Sequence, residues 1–120
     1  MMIISVILGS TRQGRFSEKP AQWILQHLRK REGIEVEPQA AFVSYGGAMG
    51  ARSVQQLRQI AIELQLAPIR SSVHIPPATL WAHMQGGDVT EALAELDQPA
   101  AVMIDDLIWW TPALKAFREG

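Results

Sequence analysis

Two residues, Pro38 and Gln39, separate two segments that both read as β-strands. Residues 34–37 alternate apolar and acidic side chains, as an edge strand does, and residues 40–45 are more uniformly apolar. If the two were parallel neighbours, the chain would have to climb back the length of a strand, roughly 17–20 Å. Two residues reach at most about 3.6 Å each, so no crossover fits in this link. A tight antiparallel hairpin would fit, but the link has no Asn-Gly or Asp-Gly turn. One long bent strand within a protomer would fit, but half its length would lack a partner. The third arrangement, a long strand whose halves belong to sheets of different subunits, meets neither objection and is the expectation.

The rest of the chain alternates strand and helix signals. Residues 3–8 form a short aliphatic run suited to a strand covered on both faces. Ser17 is placed to cap a helix in which Ala21, Ile24, Leu25 and Leu28 make one apolar stripe, with Pro20 tolerated in its first turn. Val54, Leu57, Ile60, Ala61 and Leu64 line a second helix, and Pro68 leads into a strand over residues 69–75 that Pro76 and Pro77 stop. Asp88 and Glu91 have capping-box spacing for a short helix through Leu96. After Pro99 a longer helix is expected to Phe117, with Met103, Leu107, Trp110, Leu114 and Phe117 on one side and a kink at Pro112.

Composition narrows what such a chain can do. At 120 residues and 48% hydrophobic it supports one domain, which the short link divides into a β-α-β half, 1–37, and a β-α-β-α half, 40–120. Eleven basic residues against twelve acidic give a net charge of −1, which offers no cationic field for nucleic acid or an anionic membrane. There is no cysteine, so disulfides, thiolate metal sites and thiol nucleophiles are excluded. The opening MMIISVILGS is too short for a signal peptide or a membrane span, and the cytoplasm is the expected compartment.

Two loops concentrate the chemistry. LGSTRQGRFSE runs from a buried strand to a helix start and carries Ser10, Thr11, Arg12, Arg15 and Ser17 beside two glycines. Hydroxyls, guanidinium groups and backbone N–H groups at a helix N-terminus suit a phosphate dianion, although a solvated polar turn has the same composition. The loop has the glycine spacing of a Walker A motif, but Arg15 and Phe16 replace its lysine and hydroxyl residue. Neither loop matches the dinucleotide pattern G-x-G-x-x-G. In the second loop, SYGGAMGARS, the adjacent Gly46 and Gly47 either expose backbone donors to a flat aromatic ligand or simply make a tight strand-to-helix turn.

Together these loops resemble the NADPH-dependent FMN reductase family, flavodoxin-like proteins that include quinone, azo-dye and chromate reductases. The likeness is carried by GSTRQGRFSEKPAQWI and AFVSYGGAMGARSVQQLRQIAIELQLAPI, and more weakly by IDDLIWWTPALKAFRE. It implies that Ser10, Thr11, Arg12, Arg15 and Ser17 hold the FMN phosphate. It also implies that Tyr45, Gly46, Gly47 and Ala48 hold the isoalloxazine edge, with NAD(P)H as electron donor. One segment departs: the family's central third strand, its Pro-Glu-Tyr-Asn-type motif and the flanking helices are missing here. The implied fold is therefore an α/β, truncated flavodoxin-like parallel sheet, completed by segment exchange in a homodimer, with a damaged or rebuilt flavin pocket. An oxidoreductase and a non-catalytic, self-assembling relative remain open.

Other residues point less far. His27, His74 and His83 have no metal-ligand spacing, and Asp105 and Asp106 diverge by about 100° on a helix. Trp109 and Trp110 are expected to place one ring in the core and one at an interface or partly exposed. Trp81, after a proline-rich loop, could cover a flavin, against the commoner use of such a ring in core packing. No residue is assigned as catalytic.

Overall fold

The computed structural model describes residues 16–32 and 39–120. The strand expected at residues 3–8, most of the phosphate loop and residues 33–38 of the short link lie outside the described residues, and so does any exchange between subunits.

The described chain runs α1 (Glu18–Arg29), β1 (Gln39–Ala40), β2 (Val43–Ser44), α2 (Ala51–Glu63), β3 (Ala67–Pro68), β4 (Val73–His74), α3 (Pro77–Met84), α4 (Thr90–Ala94) and α5 (Asp97–Glu119). β1 pairs in parallel with β3, and β2 in parallel with β4, so residues 39–44 and 67–74 form one interrupted parallel pair joined through α2. An α/β architecture with a parallel crossover is thus present. The strand expected over residues 69–75 is broken, because residues 69–72 stand opposite only Ala41 and Phe42. Backbone bonds flank this bulge, from Ile69 N to Ala40 O at 3.0 Å and from Val73 N to Phe42 O at 2.9 Å.

Side-chain alternation along the pair sorts the layers. Ile69, Val73 and Ile75 are buried in the main core, where Ala41, Val43 and Tyr45 pack against them. Ser44, Ser72 and His74 point to the other face, where Arg58 of α2 reaches them. Phe16 just before α1, Trp23 and Ile24 in the middle of it, Val89 and Leu93 around α4, and Ala100, Met103 and Ile104 of α5 complete the main core. Helices therefore cover both faces of the pair.

Several local expectations change. Ser17 holds the position before α1 in a helical conformation and makes no side-chain cap; its Oγ is buried without a partner. The buried face of α1 is Pro20, Trp23 and Ile24, and Trp23 joins because its Nε1 donates to Asp97 Oδ1 at 2.8 Å, pulling α1 onto α5. Of the stripe expected on α2, Val54 and Ala61 are buried while Leu57, Ile60 and Leu64 are exposed. Asp88 accepts from Thr90 N at 3.0 Å and Thr90 Oγ1 at 2.6 Å, a local turn in place of a reciprocal box with Glu91. α5 begins before Pro99 and continues through Pro112. Trp110 and Phe117 lie outside its buried face, and neither Trp109 nor Trp110 enters the core; their rings meet edge to face at 5.0 Å on the surface. Among the described residues no helix is long and apolar enough to cross a membrane.

Candidate functional site

Phe16 fixes the geometry of the site. Its buried ring meets Tyr45 edge-on at 4.8 Å and His83 at 5.1 Å, which brings the N-terminus of α1, the glycine loop after β2 and the helix α3 to one end of the molecule. Both the glycine loop and α3 follow the carboxyl ends of parallel strands, where open α/β sheets place their ligands.

An open cleft of ≈ 380 Å³ lies there, with Gly46 and Gly47 on one side and Pro77, Ala78, Leu80, Trp81 and Met84 on the other. Its size falls within the range of about 300–1,000 Å³ usual for small-molecule sites. The Trp81 ring is 62% exposed and borders this cleft, outside the core packing that is the commoner fate of such a ring. A Cβ built on Gly46 or Gly47 would meet nothing within 4 Å, so the backbone presents an open face at that edge.

Beyond the two glycines the chain makes a left-handed turn. Ala48 (φ 53°), Met49 (φ 56°) and Gly50 (φ 73°) follow one another in that region. For Ala48 and Met49 this conformation costs about 1 kcal/mol or more each, so something must hold it. Ser44 Oγ donates to Met49 O at 2.8 Å. Since that proton is committed, the 2.7 Å contact between Ser44 Oγ and His74 Nδ1 requires the imidazole to donate from Nδ1. His74 Nε2 is then an acceptor when neutral, and Ser72 Oγ donates to it at 2.9 Å. Arg58 Nη2 closes the chain with donations to Ser72 Oγ at 3.3 Å and Arg70 O at 2.7 Å, while its buried Nε has no partner. One polarised path thus runs from α2 through the bulge to the loop beside the cleft.

Of the residues expected at a flavin, Gly46 and Gly47 line the cleft. Tyr45 turns toward Phe16 and the core, and Ala48 forms part of the left-handed turn. Ser17 lies at the N-terminus of α1, beside Phe16, with its orphaned hydroxyl; Ser10, Thr11, Arg12 and Arg15 lie outside the described residues. Glu18 already occupies the first turn of α1, so a phosphate there depends on the two arginines to offset a carboxylate. The polar chain through Ser44, His74, Ser72 and Arg58 was not anticipated. Its one sequence signal is the placing of Ser72 and His74 two apart, alternating with apolar Val73 and Ile75.

The carboxyls held below their ordinary range stand away from this cleft. Hydrogen bonds from the Thr90 hydroxyl and backbone lower Asp88, and those from Trp23 and then His27 lower Asp97. Among the described residues no group of three His, Asp or Glu side chains could hold a metal ion. No protein-family model, curated protein or solved structure matches the chain.

Proposed function

We propose that the chain is an FMN-dependent NAD(P)H oxidoreductase of the FMN and quinone reductase kind, acting in the cytoplasm as a homodimer, with its flavin ring in the cleft between the glycine loop and α3. The observation that carries this reading is the apposition of Gly46 and Gly47, open above their backbone, with the apolar side chains of Trp81 and Met84. A flat, partly apolar heterocycle fits those walls, with backbone donors at its edge and Trp81 over its face. Ser17 contributes a buried hydroxyl without a partner at the end where Ser10, Thr11, Arg12 and Arg15 would hold the phosphate. Bound FMN would supply hydride acceptance from NAD(P)H and onward electron transfer to a quinone or free flavin. The chain's own part is to anchor, to shield the ring from water and to orient it; no acid or base is required of it.

A second reading, a self-assembling relative that does not turn over, is favoured by the openness of the same cleft, where Trp81 and Met84 are largely exposed. Titration of the purified protein with FMN separates the two. Micromolar binding with quenched flavin fluorescence, and bleaching of the yellow complex by NADPH, supports the oxidoreductase. Binding without bleaching supports the second reading, and no binding at 100-fold molar excess removes the flavin from both.

A further inference from the structure

α5 is apolar on two sides. One side buries Ala100, Met103, Ile104 and Thr111 against the sheet and α1. At 100° per residue, Val102, Trp109, Ala113 and Ala116 fall on the opposite side at i, i+7, i+11 and i+14, with Trp110 and Phe117 along one flank. All six are exposed, Val102 at 48%, Trp109 at 71%, Trp110 at 46% and Phe117 at 87% among them. Asp105 and Asp106 border this face on either edge, and both are already engaged, by Arg31 and by the Ser71 hydroxyl respectively.

The geometry points to a second copy of the chain as the occupant of this face, packed antiparallel with its own α5 across a two-fold axis at Ala113. Self-complementarity is the first argument. About an axis at Ala113, Trp109 of one copy lies against Phe117 of the other and Trp110 against Ala116, so each large ring meets either a ring or a methyl group. The small residue on the axis lets the helices approach to about 8 Å between their axes. A two-fold pair needs this property, that one patch fits itself. Area is the second argument. The three rings, at these exposures, hold on the order of 400 Å² of apolar surface. The two alanines raise this to about 500 Å², near the upper end of what a typical monomer leaves open. Val102 adds nothing, because an axis at Ala113 overlaps the two helices only over residues 107–119. Two copies together cover about 1,000 Å², the threshold for a specific pair of good shape complementarity. An anionic membrane fits less well, since α5 itself carries Asp105 and Asp106 and no basic residue on this side, and Arg31 is already paired with Asp105. This contact requires neither a bound flavin nor exchange at residues 38 and 39.

The chain has no cysteine, which makes the axis directly testable. Under mild oxidant at 20 µM, Ala113→Cys is expected to form a disulfide dimer at least tenfold faster than the control Arg52→Cys on exposed α2. By sedimentation, the parent chain is expected to be a dimer at that concentration, and Trp109→Asp with Phe117→Asp a monomer with unchanged far-ultraviolet circular dichroism. Equal cross-linking of the two cysteine variants, a monomeric parent chain, an open-ended series of larger species, or flotation of the parent chain with anionic vesicles each overturns the proposal. If the doubly substituted chain loses its circular dichroism, the cross-linking comparison alone decides.

Discussion

Ser44 and His74 meet across the parallel pair, Oγ to Nδ1 at 2.7 Å, and through Met49 O this contact holds the backbone turn beside the cleft. Ser44→Ala removes the donor to that carbonyl and the acceptor for the imidazole at once. The expected loss is about 1–3 kcal/mol of stability, read from a urea melt at neutral pH. Arg58→Met, which keeps the stem but not the guanidinium, is expected to weaken the same assembly from its other end. The double variant should lose less than the sum of the two, because both act on one chain of bonds.

Gly50 and Gly47 separate folding from binding. Gly50 has φ +73°, and a Cβ there would stand 2.7 Å from Ser44 Cβ and 2.9 Å from Tyr45 O, so Gly50→Ala is expected to destabilise the fold by about 2 kcal/mol or more. Around Gly47 a methyl group meets open space. Gly47→Ala should therefore melt within about 1 kcal/mol of the parent chain while weakening FMN at least fivefold. Equal FMN affinity in this variant would place the ring elsewhere.

Asp97 ties α1 to α5 by accepting from Trp23 Nε1 at 2.8 Å and His27 Nε2 at 2.9 Å, and these bonds hold its carboxyl below the usual range. Because the folded value lies below the unfolded one, about 3.9, this contribution is present above that value and disappears as pH falls through the folded value. Asp97→Asn is accordingly expected to be less stable than the parent at pH 7. The two melting curves should converge as pH drops below about 4.

Core and surface aliphatics should respond very differently. Ile75 is fully buried, and Ile75→Ala is expected to cost about 2–5 kcal/mol. Leu64, drawn from the same kind of apolar pattern, is exposed, and Leu64→Ala should change stability by no more than about 0.5 kcal/mol.

Those two residues also show how far the sequence could be read. An apolar strand, a helix of period 3.6 and a second strand after Pro68 announce a parallel β-α-β unit, and the structure has it. Periodicity ranks positions within a helix but does not say which part of a wide apolar arc finds a partner. On α2, Val54 and Ala61 found one, while Leu57, Ile60 and Leu64 did not. α5 defeats the method more completely. With apolar residues all round, a stripe through Met103, Leu107, Trp110, Leu114 and Phe117 fits the spacing as well as the face through Ala100, Met103, Ile104 and Thr111 that the sheet selects. At the cleft, adjacent glycines were visible as a loop that could admit a ring. The position of Trp81 opposite them depends on where α3 returns, which no local pattern encodes. The end of α2 was hidden for another reason: Gln65 takes the left-handed position after the helix at φ 59°, where glycine would have marked it.

The bulge at residues 69–72 carries two surplus residues, and that number matters. Successive side chains of a strand point to opposite sides, so an even insertion restores the original parity and an odd one inverts it. Val73 and Ile75 consequently return to the oily side and His74 to the side of Ser44, as though the interruption had not occurred. Excising one residue from the segment would exchange those roles, presenting imidazole to the hydrocarbon interior; excising two would leave every downstream side chain in phase.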